Sequence, residues 1–248
     1  MEKAKGDQRA TARSIADDIR AQIRGGKLPP GAVLPTSREL ASRYGVSHKT
    51  VSAGIDVLKV EGLVVGERGG RRRVRASRPI TWNLTSSTQG AAVMDDWATA
   101  IREAGREPAQ TLSVTTEGAS EEVAAWLHLD PGEEVVRREH LRTVDGRPFQ
   151  LVNMWFPAGL VRNTPLAEQR EVARPATVLA QAGHPQQRVR DEIDVRMPTP
   201  EEAEPLSLPP GTPVADHVRT GHGDTTPIYV VRTIAPGDRH RLVYELGV

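Results

Sequence analysis

Apolar positions follow one spacing in the first sixty residues of this chain and another spacing after them. Ala12, Ile15, Ala16, Ile19 and Ile23 recur at three- and four-residue steps. That stripe predicts a first helix from about Gln8 to Gly25. Leu40, Ala41 and Tyr44 mark a short second helix, and Val51, Ile55 and Leu58 a third. Beyond Gly62 the runs shorten. Leu63–Val65 and Arg71–Val74 read as two strands, with Arg68-Gly69-Gly70 as the turn between them.

The residues between these stripes say how the elements join. GGKLPPG, residues 25–31, is a turn-rich link after the first helix. Thr36 and Glu39 form an S/T-x-x-E capping box, in which each side chain satisfies a free N–H of the helix start. Gly45 accepts the left-handed conformation that ends a helix, and Ser47 is placed to cap the next. Two short helices about a tight turn, then a basic hairpin, predict a winged helix-turn-helix. That shape presents the N-terminal end of its last helix to base edges. The residues expected to face DNA are Thr36, Ser37 and Arg38, then Ser47, His48, Lys49, Thr50 and Ser52, then Arg68, Gly69, Gly70, Arg71, Arg72 and Arg73. The competing reading is a three-helix packing module with a solvated hairpin.

Charge favours the first reading. Residues 1–78 hold 17 Lys and Arg against 8 Asp and Glu, a net of +9, while residues 79–248 hold 16 against 24, a net of −8. The whole-chain value of +1 hides this split. A basic block at one end is the footprint of a polyanion partner. Arg71–Arg73 are placed to meet phosphates, which supply affinity without sequence information.

Length bounds the rest. The 248 residues suffice for two domains with their own cores. The expected division is a DNA-binding domain over 1–77, a Ser-, Thr- and Pro-rich linker over 78–90, and a second domain over 91–248. Cysteine is absent, which removes disulfides, zinc–thiolate sites and thiol nucleophiles. No apolar leader segment opens the chain, and no stretch approaches the ~20 apolar residues of a membrane span, so a cytoplasmic protein is expected. G-x-S-x-G, H-E-x-x-H, Walker A and G-x-G-x-x-G patterns are all missing. An enzyme is not expected, nor a cofactor. His217, His222 and Asp224 could suggest a metal, but no confirming ligand spacing accompanies them, and hairpin polar residues explain them as well.

The second domain contains a repeat. Residues 120–157 and 199–236 resemble each other at a constant offset of 79, without a gap. Leu127, Leu129, Pro131, Gly132 and Val135 correspond to Leu206, Leu208, Pro210, Gly211 and Val214, while Asp145, Pro148 and Pro157 correspond to Asp224, Pro227 and Pro236. Each unit reads as a short helix, a Pro-Gly turn and two strands joined by a turn containing Asp, with Asp145-Gly146 the clearer hairpin signal. Two such halves can share one antiparallel sheet. On the strand over 133–144, Arg138, His140 and Arg142 alternate and so share one face. They could hold an anionic ligand or form an exposed face of paired charges.

These residues resemble the GntR family of bacterial transcription regulators, in its HutC-like branch. LPTSRELASRYGVSHKTVSAGIDVLKVEGLV is similar to that family's DNA-binding module. Residues 105–246 resemble its effector domain, UTRA, through LHLDPGE (127–133), DGRP (145–148), Thr226-Pro227 and Gly237-Asp238-Arg239. The implied fold is α+β, a winged helix-turn-helix joined to an antiparallel, chorismate-lyase-like sheet domain. The implied partners are double-stranded DNA carrying an inverted repeat, a second copy of the chain, and a small-molecule effector. A second domain that only dimerises is the alternative.

The resemblance matches DNA-contacting positions to Arg38, Thr50 and Gly69. It places His48 and Ser52 where relatives often carry arginine, with Lys49 a partial substitute. In relatives that bind sugar phosphates, an R-x-R pair matches His140 and Arg142. Their acidic positions fall at Val152 and Tyr229, and a serine falls at Pro175. With Trp155 and Tyr229 nearby, the expected pocket is more apolar than a sugar site, with Arg142 as its one matching cation.

Overall fold

In a computed structural model, residues 10–66, 71–75, 79–84, 97–172 and 174–245 are described. The chain divides into two compact units, the first reaching to residue 78 with 209–212, the second made of 79–208 and 213 onward.

The first unit is built from α1 (Ala12–Arg24), α2 (Ser37–Tyr44), α3 (His48–Val60) and the strands β1 (Val64–Gly66) and β2 (Arg72–Val74). The start of α1 expected near Gln8 lies outside the described residues. The observed start is set by Thr11 and Ser14, which form a capping box. Ile15, Ile19, Leu40, Val51, Ile55 and Leu58 close one core with Leu34, Val64 and Val74. Gly54 of α3 meets α1 so closely that a Cβ there would stand 2.7 Å from the Ala12 carbonyl oxygen.

β1 and β2 are antiparallel, with Val65 opposite Arg73. The link after α1 does more than turn. The Leu34 amide donates to the Arg72 carbonyl (2.8 Å), and the Val74 amide donates to the Ala32 carbonyl (2.8 Å). Residues 32–34 therefore act as a third strand on the far side of β2.

The second unit opens with β3 (Ile80–Asn83) and α4 (Trp97–Glu103). β4 (Pro108–Gly118), α5 (Glu121–Leu127), β5 (Glu134–Val144) and β6 (Arg147–Pro157) follow. Next come α6 (Ala158–Val161), a 3-10 turn at Pro165–Ala167, α7 (Pro175–Gln181), β7 (Arg188–Arg196), α8 (Pro200–Ala203), β8 (Val214–His222), β9 (Pro227–Pro236) and β10 (His240–Val243). Six strands form one antiparallel sheet in the order β4-β5-β6-β9-β8-β7, and β3 pairs in parallel with β10.

The register makes the repeat geometric. In the central β6–β9 pairing, Asn153 stands opposite Arg232, its own equivalent at the offset of 79. A pseudo-twofold axis therefore passes between them. The Arg142/Thr143 bulge between β5 and β6 recurs at Gly221/His222 between β8 and β9, at the same offset. Left-handed residues repeat too, His128 with Ser207 and Gly132 with Gly211. The symmetry also reaches strands outside the expected repeat. Gly118↔Glu134 and Pro108↔Val144 in β4–β5 map onto the β7–β8 register, so β4 and β7 are equivalent.

One face of the sheet carries Val136, Val152, Met154, Phe156, Tyr229 and Val231, and these pack with Val161, Leu166 and Leu179 from the segment between β6 and β7. The opposite face packs Val135, Trp155 and Val230 against Val123, Ala124 and Leu127 of α5.

Candidate DNA interface and candidate ligand site

The helix-turn-helix is fixed by its caps. The Thr36 amide donates to Glu39 (2.7 Å), and the Glu39 amide donates back to the Thr36 hydroxyl (3.2 Å). The hydrogen bond from the Thr36 amide, and then that from its hydroxyl, hold the Glu39 carboxyl below its ordinary range. Gly45 has φ 64° and ψ 35°, the left-handed conformation that turns α2 into the loop before α3. The Ser47 hydroxyl accepts from the Thr50 amide (3.2 Å) and lies 2.9 Å from the Thr50 hydroxyl. Ser47 and Thr50 thus serve the helix start itself.

His48 and Lys49 are exposed in the first turn of α3, and Arg38 is exposed in the first turn of α2. Ser37 and Ser52 are half-buried beside them. The wing arginines divide. Arg71 is exposed, Arg72 donates through Nη1 to the Ser37 hydroxyl (2.6 Å), and Arg73 donates to the Gly31 carbonyl (3.2 Å). Arg68, Gly69 and Gly70 lie outside the described residues.

On the sheet, Arg138, His140 and Arg142 share a buried face, with relative exposures of 1%, 3% and 5%. The expected group resolves into separate jobs. Arg138 donates to the carbonyls of Leu166, Glu168 and Arg170 and so holds the loop after α6. Arg142 donates to Gln110 (3.1 Å) and stacks on Trp97, 4.7 Å from the ring centroid. Gln110 in turn donates to Glu171 (2.8 Å), whose carboxylate lies 3.6 Å from His140 Nε2. Burial, then the neighbouring Arg142 and Arg138, pushes the His140 imidazole down to about 3. Its Nδ1 is buried with no hydrogen-bond partner among the described residues.

The other expected members separate. Val152 pairs with His140 and stays on this face. Trp155 stands on the opposite face, where it packs on Trp126 at 6.2 Å and donates to Glu117 (3.4 Å). Three positions separate it from Val152, so strand alternation keeps it from this group. Tyr229 shares the face but not the neighbourhood. It lies four positions along β9 from Thr233, the residue level with Val152 and His140, which is ~13 Å at strand rise. Burial pushes its phenol up, and the hydroxyl donates to Gln186. Its ring fills the space above Gly221, where a Cβ would overlap it at 2.1 Å. The residues found beside His140 and Arg142 are instead Gln110, Trp97 and Glu171. No period or motif linked them to the site, because they come from β4, α4 and the loop before α7.

In the symmetric half, His217 and Arg219 correspond to Arg138 and His140, and here β7 supplies a carboxylate. Asp191 accepts from Arg219 (2.6 and 2.8 Å) and lies 2.7 Å from His217 Nε2. Burial alone would raise Asp191, but the hydrogen bonds of His217 and Arg219 outweigh it and bring the carboxyl down to about 2. Trp82 packs edge-on against His217, and Arg219 also donates to the Leu84 carbonyl. That half thus engages its cation and one imidazole nitrogen with its own carboxylate, while His217 Nδ1, like His140 Nδ1, is buried with no partner among the described residues.

A capped helix-turn-helix with an arginine-bearing wing, carried in one chain with a pseudo-symmetric sheet domain, defines a modular transcriptional regulator. Residues 11–74 match the model of the gntR family of bacterial regulatory proteins, and residues 103–241 match the UTRA domain. An HTH-type transcriptional regulator of Rhizobium meliloti is 31% identical over 94% of this chain and 93% of its own length. The histidine utilization repressor of Pseudomonas putida is 25% identical over 89% of this chain and 86% of its own. The crystal structure of a GntR-family transcriptional regulator, 26% identical, superposes with a TM-score of 0.68 over 97% of this chain and 99% of that one. The chain belongs to the GntR family, in its HutC-like branch, with a UTRA domain as its second unit. It is a transcriptional regulator rather than an enzyme.

Proposed function

We propose that this regulator is a repressor that binds an inverted-repeat operator as a homodimer and is released by a small molecule bound beside His140 and Arg142. The DNA half of the reading rests on exposed Arg38, His48, Lys49 and Arg71 around a helix start fixed by Ser47. One recognition helix reads only a few base pairs, so specificity requires two half-sites. The effector half rests on one observation, the buried Nδ1 of His140 with no partner among the described residues. A buried polar atom left unsatisfied costs about 1–3 kcal/mol, and a ligand that bonds it recovers that cost.

The neighbours define the ligand's chemistry. Arg142 and Gln110 favour an anionic or strongly polar group, and Val152, Met154 and Trp97 favour an apolar remainder over a hydroxylated sugar. Release needs differential affinity, because a ligand that binds both arrangements of the dimer equally shifts nothing. Retardation of a labelled operator, titrated with candidate anionic metabolites, tests the reading. Arg142→Ala should keep operator binding and lose release; a variant released at wild-type ligand concentrations would remove Arg142 from the site. A second reading, a domain that only dimerises, is favoured by the stacking of Arg142 on Trp97. It predicts no release by any metabolite.

A further inference from the structure

The two halves of the repeat carry the same pair of side chains in opposite order. Arg138 and His140 of β5 correspond to His217 and Arg219 of β8 at the offset of 79. The pseudo-twofold axis turns one half over, so an unswapped pair would put one imidazole and one guanidinium in each row across the sheet. The swap sorts them. His140, Val152, Thr233 and His217 form one row across β5, β6, β9 and β8, and Arg138, Met154, Val231 and Arg219 form the next. Both arginines are taken up, Arg138 by the carbonyls of the loop after α6 and Arg219 by Asp191. Each imidazole keeps a buried Nδ1 with no partner among the described residues. Three strand spacings, ~14 Å, separate the two rings, and Val152 between them belongs to the packed core, so one small molecule does not reach both.

At His217 the bare nitrogen is an acceptor. Nε2 lies 2.7 Å from Asp191, and a carboxylate only accepts, so Nε2 carries the ring proton. Arg219 already balances the Asp191 charge through two bonds. The imidazole therefore stays neutral, and Nδ1 presents a lone pair. Apolar groups flank the ring. Trp82 of β3 meets it edge-on at 5.2 Å. Ile193 stands directly opposite it on β7, the outer strand of the sheet, and is 41% exposed, which leaves this side open to solvent. We propose that the His217 half is a second ligand site, separate from the one beside His140, which takes a small uncharged molecule with one O–H or N–H donor on an apolar ring. The donor satisfies Nδ1, and the ring lies between Trp82 and Ile193. An anion finds no unbalanced cation here, since Arg219 and Asp191 neutralise each other. A molecule without a donor leaves the nitrogen as unmet as before.

Phenol is the probe, with anisole as the same ring without the donor and benzoate as the charged one. Magnetic resonance of the full chain, labelled at its histidine nitrogens, reports on the site directly. Without ligand, the His217 signals should show a proton on Nε2 and none on Nδ1. Phenol should shift the Nδ1 signal and bind at least about tenfold more tightly than anisole or benzoate. His217→Gln keeps a donor for Asp191 and removes Nδ1, so phenol should fall to the level of anisole. Arg142→Ala should leave phenol binding as in wild type, because that residue belongs to the other site. A His217 that carries its proton on Nδ1, equal binding of phenol and anisole, or phenol binding unchanged in His217→Gln would overturn the second site and leave the His140 site standing. Phenol binding lost in Arg142→Ala would place the probe beside His140 and overturn it equally. The effector site beside His140 falls on a different result, operator release that persists in Arg142→Ala.

Discussion

Gly54 sits where α1 crosses α3, and its missing side chain sets how close the two helices come. Gly54→Ala would place a methyl 2.7 Å from the Ala12 carbonyl oxygen and 3.3 Å from Ile15. Backbone has to move to admit it, so a loss of about 1–3 kcal/mol is expected despite the better helix propensity of alanine. A thermal melt of the variant checks this, and an unchanged midpoint would mean that the crossing is looser than it looks.

His140 makes a pH prediction of the same local kind. Its imidazole titrates near 3 when folded, against an ordinary 6.5. The unfolded chain therefore takes up the proton first, and stability falls as pH drops from about 6.5 toward 3. His240, brought down to about 4 by burial, acts in the same sense. Asp191 does not share this window, since its contribution is lost only below the ordinary carboxylate value of 3.8. The apparent Tm should be lower at pH 5 than at pH 7.5, and His140→Gln should shrink the difference. An equal difference in the variant would assign the slope to other groups.

Among the elements, the helix-turn-helix was legible in the sequence because its signals are local. Thr36 with Glu39, Gly45 and Ser47 act over three residues or fewer, and each has the bonds or backbone angles its residue type demands. The equivalence of β4 and β7 was not legible. Residues 108–118 and 187–197 share no identity at the offset of 79, and only backbone register relates them. The separation of Tyr229 from His140 and Arg142 was not legible for a different reason. A family pattern gave its position on a strand without its distance along the sheet.

The wing makes a prediction at the same scale. Arg72 and Arg73 tie β2 to α2 and to Gly31, while Arg71 points to solvent. Arg71→Ala should weaken binding to all DNA sequences alike and reduce the salt slope by about one. Arg72→Ala should also loosen the wing from α2, so its loss of affinity should exceed that of Arg71→Ala. A change in the preferred base without a change in slope would remove Arg71 from the phosphate contacts. Ser47→Ala removes a helix cap and should cost about 1 kcal/mol of stability.

At the scale of the whole molecule, binding should be linked reciprocally. If the effector weakens operator binding by some factor, operator DNA must weaken effector binding by the same factor. Calorimetric titration of the effector into the free regulator and into its operator complex measures both sides. Unequal factors would mean that release does not run through one conformational equilibrium.

The pairing of β3 with β10 has a consequence for synthesis. Ile80 stands level with His240, and the two are joined by bonds from Ile80 to Arg239 and from Leu84 to Val243. The strand made first in the second unit therefore waits for a partner made 160 positions later. Such long-range closure is slow and exposes unpaired strands while it waits. On a translating ribosome the capped helices can form early, while the sheet domain stays unfinished until residue 243 emerges. Messages cut short within β9 should yield chains with an ordered helix-turn-helix beside a protease-sensitive remainder.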